Sequence, residues 1–274
     1  MCRHLAYLGP PRIVAEILTG GTHSLARQAW EPHDMRGVGT INVDGFGVSW
    51  WADGVRRTYR NAVPIWSDPA VDDVLSGVAS TAVLGTVRSA TDPDTVHRSA
   101  CAPIGDDTVG LSLNGRIIDW RNAFAPLMAT VPIADILNMP ALTDTGALWV
   151  LLRHRLADGL PAALESVVAD LLSSQDPRLN LLLCTGTDIW ATTVHHSLWT
   201  RTCVDGDGRA SVWVASEPTD EPLSGSAGDN GDTWTAVPDR SLVHARPGHV
   251  DIRPLHPPTA AALRYLTARP GSTL

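Results

Sequence analysis

Lysine is absent from the 274 residues: all 21 basic side chains are arginine. With abundant alanine, glycine and proline, this is first the codon signature of a GC-rich bacterial genome. Phenylalanine and tyrosine are scarce as well, 2 and 3 residues against 10 tryptophans, so tryptophan carries most of the aromatic surface. The few cysteines, Cys2, Cys101, Cys184 and Cys203, show no C-x-x-C spacing. Neither a zinc site nor a disulfide framework is suggested, and they read as independent thiols. No window approaches the roughly 20 apolar residues of a membrane span. The N-terminus also lacks the charged-then-apolar pattern of a secretion signal, so the expected location is the cytoplasm. Positive charge is in deficit, with a net charge of −8. That argues against nucleic acid or an anionic membrane as the main partner and favours a small or cationic ligand.

What is present is the composition of a globular protein, 44% hydrophobic and 18% charged. A short apolar strand is predicted over 3–8, closed by Gly9-Pro10-Pro11, and then a helical stripe of Ile13, Val14, Ile17 and Leu18 stopped by Gly20-Gly21. A loop over 29–39 precedes a strand at 40–43 and a hairpin of 46–51 and 55–60 about Asp53-Gly54. Asp68 caps a predicted helix over 69–79, and strands follow at 82–88 and 108–113. Helices are expected at 146–157 and 161–173, with a weaker one at 120–128. Strands then come at 179–184, 189–195, 198–203 and 211–215, a flexible loop at 223–233 and a loosely attached tail at 257–274. This order suits an α+β fold, two antiparallel sheets between helical layers in an αββα sandwich, forming one domain over 2–256. A division near 175 is the alternative.

Cys2 is the residue with the clearest chemistry. Removal of Met1, which its small side chain permits, leaves a thiol and a free α-amine on one residue. With a pKa of about 8, that amine can take the thiol proton near neutral pH without a histidine. Further segments bear on it. Asn42-Val43-Asp44-Gly45-Phe46-Gly47 has glycines that leave a strand edge uncrowded. In Thr86-Val87-Arg88-Ser89-Ala90-Thr91 an arginine leaving a strand can clamp a carboxylate, with Thr91 adding a hydroxyl. Asn114-Gly115 offers converging neutral donors of the kind an oxyanion requires, and is equally an ordinary turn. Asp144, in Thr143-Asp144-Thr145 before a helix, can accept from an ammonium group or cap the helix.

The set and its order, a leading Cys, D-G-F-G, R-x-A-T, N-G and D-T before a helix, resemble the class II glutamine amidotransferase family over roughly residues 2–150. That resemblance implies the N-terminal-nucleophile hydrolase fold and hydrolysis of a γ-glutamyl amide without metal or organic cofactor. It also implies roles: Cys2 as nucleophile with its α-amine as base, and Arg88 with Thr91 on the glutamyl α-carboxylate. Asp144 would take the α-ammonium, and Asn114 with Gly115 would form the oxyanion hole. Arg3 stands where many members have glycine, Ser89 where synthase-linked members often have an aromatic, and Asp92 where they often have histidine. These departures bear on the use of free glutamine and leave the glutamyl clamp intact.

The 274 residues are expected to hold the hydrolase domain alone, without the synthase domain that ammonia-transferring members of the family carry. The opening Met-Cys-Arg-His-Leu-Ala-Tyr-Leu-Gly is similar to stand-alone hydrolases of the family whose γ-glutamyl substrate carries a trimethylammonium group. Aromatic faces hold such a group, which has no N–H to give. Trp30, Trp50, Trp51 and His33 flank the predicted site in sequence and are the candidates. Rival readings are a glutaminase subunit handing ammonia to a separate synthase, an inactive glutamyl-ligand binder, and a Cys-His enzyme using Cys101 and His97. His195-His196 reads as an end-of-strand pair and Asp205-Gly206-Asp207-Gly208 as a turn. Ser216-Glu217-Pro218 after a strand shapes a site wall with no assigned chemistry, and a homo-oligomer stays open.

Overall fold

The computed structural model describes residues 2–34, 36, 41–174, 176–220 and 233–255. It opens with strand β1 (Arg3–Ile13), then helix α1 (Val14–Thr19) and α2 (Leu25–Gln28), whose cap Ser24 accepts from the Arg27 N–H. The hairpin β2 (Phe46–Ala52) and β3 (Val55–Asn61) turns at Asp53 and Gly54, with φ of 54° and 76°. Asp-Gly tolerates these positive angles, which match the twist of the paired strands. The short helix α3 (Ala70–Asp73) precedes β4 (Ala79–Val87), β5 (Ile104–Gly105) and β6 (Gly110–Arg116). Helices α4 (Trp120–Phe124), α5 (Ile133–Leu137), α6 (Asp144–Arg155) and α7 (Leu160–Ser174) follow. The chain continues with β7 (Arg178–Cys184), β8 (Ile189–Thr193), β9 (Trp199–Val204) and β10 (Ala210–Ala215). It then adds β11 (Thr235–Ala236), β12 (Ser241–Arg246) and β13 (His249–Pro254).

Among the described residues the strands form a seven-stranded antiparallel sheet, β11-β9-β10-β1-β4-β2-β3, and a six-stranded one, β13-β12-β8-β7-β6-β5. Side-chain alternation along β1 sets the layers. Leu5 and Tyr7 pack with Val14, Leu18 and Leu25 of the first helices, whereas Ala6 and Leu8 pack with Leu182, Ala191 and Val243 of the second sheet. On the far side of that sheet, Leu111, Leu113 and Leu181 meet Leu148 and Leu151 of α6 and Val167 of α7. The stack is helices, sheet, sheet, helices, as the alternation requires. Burying each such leucine contributes about 2 kcal/mol. Each sheet draws strands from both sides of position 175, since β10 lies on β1 and β7 on β6.

Several local expectations give way to tertiary pairing. β1 continues through Pro10 and Pro11 where a turn was expected: β10 pairs only as far as Leu8, and the ladder to β4 slips between Leu8 and Arg12. Prolines have no N–H to give, and here none is required of them. Residues 41–43 are not a strand, because the Asn42 N–H donates to the Ala29 carbonyl at 2.7 Å and joins no ladder; Thr40 lies outside the described residues. The helix expected over 69–79 stops early because Ala79 pairs with Ile13 in the sheet. The cap position falls on Pro69, with no capping side chain, while Asp68 one residue earlier accepts from the Ala70 N–H. The helix expected over 120–128 ends at Phe124, two residues before Pro126. β12 and β13, for which the sequence analysis has no counterpart, extend the second sheet through β8. The 257–274 tail lies outside the described residues, as does most of the 223–233 loop.

Candidate active site

The first rung of the β1–β4 ladder joins Arg3 to Val87. Cys2 therefore stands just before the strand, beside the point where β4 releases Arg88, and its Sγ lies 3.8 Å from the Ser89 carbonyl oxygen. Continuing the alternation of β1, position 2 falls on the face toward β6. The result is a cleft of about 260 Å³ lined by Cys2, Arg88, Thr91, Gly115, Asp144 and Trp120, among others. Motifs spread over more than half the chain thus meet in one place.

Arg88 is held by Thr95, with Nη1 on its carbonyl at 3.0 Å and Nη2 on its Oγ1 at 2.8 Å. The D-G-F-G segment does not line the cleft. Instead it fastens the strand end that carries Arg88: Asp44 Oδ2 accepts from the Ala90 N–H at 2.7 Å, and the Arg88 N–H donates to Gly45. Nor is β2 an edge, being paired with β4 on one side and β3 on the other.

Asp144 opens α6, but Thr143 is the cap, accepting from the Gly146 N–H at 3.1 Å. Asp144 accepts from the Thr145 N–H at 2.7 Å and the Ile117 N–H at 3.2 Å, which leaves its carboxylate facing the cleft wall beside Arg88. Burial pushes its pKa up, opposed by those hydrogen bonds and by the Arg88 charge.

Asn114 and Gly115 lie near the end of β6, just before Arg116. Gly115 lines the cleft, while Asn114 is fully buried behind it. One N–H of Asn114 Nδ2 goes to Ser216 Oγ at 3.2 Å, and that hydroxyl also accepts from the His4 backbone N–H at 3.0 Å. Position 115 has no room for a side chain, because a Cβ would stand 1.9 Å from the Arg178 carbonyl oxygen on β7. Gly115→Ala should therefore destabilise the protein by about 2 kcal/mol and lower Tm by ~5 °C. Thermal melts of the purified variant check this.

The aromatic candidates are not at the cleft. Trp30 packs edge-on against Trp66, Trp50 packs on the helix-side core, and Trp51 is buried with Nε1 donating to the Thr108 carbonyl. His33 stacks on His23, with ring centroids 3.9 Å apart. Trp50 and Trp51 lie on β2, whose pairing with β4 and β3 carries them elsewhere, and Trp30 and His33 lie in the loop after α2. Trp120, which the sequence analysis missed, lines the cleft, with Arg121 stacked on its ring at 4.6 Å. Its signal was available, since Trp120 lies just six residues beyond Asn114.

Cys101 and His97 do not form a catalytic pair. The Cys101 thiol is fully buried against the Asn61 carbonyl, with burial pushing its pKa up, and the His97 ring turns to Ser99. Asp205 closes the β9–β10 turn, accepting from the N–H groups of Asp207 and Arg209. No group of three or more His, Cys, Asp or Glu suited to a metal ion occurs among the described residues. None of the described helices is long and apolar enough to cross a membrane.

No family model matches the chain. A γ-glutamyl-hercynylcysteine sulfoxide hydrolase of Mycolicibacterium smegmatis is 33% identical over 258 residues, 93% of this chain and 100% of the relative. A Mycobacterium tuberculosis protein of the same name is 31% identical over 243 residues, covering 89% of this chain and 92% of its own. Among solved structures, a class II glutamine aminotransferase domain protein from Silicibacter pomeroyi superposes with a TM-score of 0.61 at 18% identity, covering 93% of this chain and 100% of that one. Glutamine phosphoribosylpyrophosphate amidotransferase from B. subtilis also gives 0.61 at 18% identity, over 93% of this chain and 49% of that one. These two likenesses concern the fold.

Proposed function

The chain belongs to the γ-glutamyl-hercynylcysteine sulfoxide hydrolase family, and we propose that it acts through an N-terminal Cys2 in the cleft described above. It hydrolyses the γ-glutamyl amide of γ-glutamyl-hercynylcysteine sulfoxide to glutamate and hercynylcysteine sulfoxide, a step of ergothioneine biosynthesis. The observation that carries the residue assignment is the convergence of Cys2, Arg88, Gly115 and Asp144 on one cleft. Arg88 and Thr91 take the glutamyl α-carboxylate and Asp144 the α-ammonium, which presents the γ-carbonyl to Cys2.

The α-amine of Cys2 takes the thiol proton as Sγ attacks the γ-carbon. Charge on the carbonyl oxygen is met by the Gly115 N–H and by Asn114, whose Nδ2 has a second N–H besides the one given to Ser216. The proton passes to the departing amine and the C–N bond breaks, leaving a glutamyl thioester. Water, deprotonated by the same α-amine, then attacks the thioester and releases glutamate and the thiol.

The trimethylammonium end of the substrate rests on Trp120. Support comes from Asp119 and Asp92, carboxylates that also line the cleft and favour a cation there; the Arg121 guanidinium stacked on the ring must move aside as the substrate enters. Residues 2–256 act as one domain with 257–274 as a tail, in the cytoplasm, where the free thiols stay reduced.

The test is glutamate release by Met-processed protein from γ-glutamyl-hercynylcysteine sulfoxide, γ-glutamylcysteine and glutamine side by side, with Trp120→Leu in parallel. The full substrate should be preferred. Trp120→Leu should lose ~3–30-fold in kcat/KM on it and little on γ-glutamylcysteine. Preference for glutamine would instead indicate an ammonia-supplying subunit.

A further inference from the structure

We propose that the ion pair of Arg3 and Glu217 is a positioning device for the N-terminal cysteine: Glu217 fixes the Arg3 guanidinium, and Arg3 fixes the Cys2 carbonyl. The inference rests on Cys2 being the nucleophile.

Both side chains are sealed from solvent, 1% and 0% exposed. Arg3 Nε stands 2.8 Å from Glu217 Oε1, an ionic contact and not an aligned hydrogen bond. Arg3 Nη1 donates to the Cys2 carbonyl at 3.2 Å, and Nη2 reaches the Asp34 carbonyl at 3.4 Å. Glu217 is anchored in turn. Its Oε2 accepts from the His33 backbone N–H at 2.7 Å and meets His23 Nε2 at 2.8 Å. Apolar side chains of similar volume would hold this core about as well, so stability alone gives no reason for two buried charges.

Their position gives one. A terminal nucleophile and its own amine are aimed by rotation about the Cys2 Cα–C bond, and Cys2 lies outside the ladder that starts at Arg3. With the carbonyl held, the peptide plane is held, and the amine and thiol rotate against a fixed reference. Ser216, the neighbour of Glu217, accepts from the His4 N–H and from Asn114, so one short segment after β10 braces both the nucleophile's strand and the oxyanion side. This gives Ser216-Glu217 a role that the sequence left open.

The test is steady-state kinetics and melting of Glu217→Gln, Arg3→Lys and the double variant Arg3→Met/Glu217→Met, with Met1 removal checked by mass spectrometry. The double variant leaves no unpaired charge and is the one expected to fold in any case. Expected is a kcat loss of ~10-fold or more with KM within ~2-fold, because the glutamyl clamp is untouched while the attack geometry loosens. A folded double variant with wild-type kcat, or one in which KM rises and kcat does not fall, overturns the inference. Wild-type protein inactive on every γ-glutamyl compound would instead strike the underlying assignment of Cys2.

Discussion

Cys2→Ala should release no glutamate above background, a loss of ~10⁴-fold or more in kcat. The variant keeps the glutamyl clamp and the α-amine but has no atom to form the thioester, so water would have to attack an unactivated amide directly. Cys2→Ser should also be crippled, by ~10³-fold, because a hydroxyl is far less acidic than a thiol and a weak amine base cannot ionise it. Substrate should still bind to Cys2→Ala with near-normal affinity, since Arg88 and Asp144 are intact. Calorimetry with the inactive variant reads that directly. Protein retaining Met1 should be as inactive as Cys2→Ala, because the base is then locked in a peptide bond. Hydrolysis surviving in Cys2→Ala would remove the basis of the proposed mechanism.

Arg88→Ala should cost ~10²–10³-fold in kcat/KM, expressed mainly in KM, with Arg88→Lys recovering little of it. Thr95 holds the guanidinium by two of its N–H groups, so the fork is oriented before substrate arrives, and a lysine ammonium would have neither the reach nor the planar geometry. Asp144→Asn should show a comparable loss, because the substrate ammonium then faces a neutral amide. The pH dependence follows from the raised pKa of Asp144. Its ionised form binds the ammonium, so binding is complete above that pKa and is lost as pH falls through it. KM should therefore rise at a higher pH than the ~3.9 of an ordinary aspartate would allow. A pH series of KM for wild type and Asp144→Asn checks this, and the variant should show no such rise.

Much of this was legible in the residues because it depends on local order along the chain. The alternation Leu5, Ala6, Tyr7, Leu8 assigns two faces to β1 before any partner is known. The Asp53-Gly54 hairpin follows from backbone angles that few residues tolerate. Cys2 stands just before β1, Arg88 just after β4, Gly115 one residue from the end of β6 and Asp144 at the start of α6, so all four lie at element ends, where a cleft can form. Asn114 was legible as a residue but not as a position, since only the packing of β1 against β6 shows it buried behind the cleft with Ser216.

The tryptophans mark the limit most clearly. Trp30, Trp50 and Trp51 are close to the predicted site along the chain, yet sheet register turns Trp50 and Trp51 to opposite faces and leaves neither in the cleft. Trp120 reaches it because the end of β6 runs directly into α4. The pairing of Arg3 with Glu217 joins residues 214 positions apart and depends on β10 lying beside β1. The sequence by itself determined which chemistry this chain carries and which faces of its strands are apolar, because both are properties of residue type and spacing. Only the tertiary structure decided which aromatic ring lines the cleft and which carboxylate pairs with Arg3 beside Cys2, because long-range strand register has no local cause.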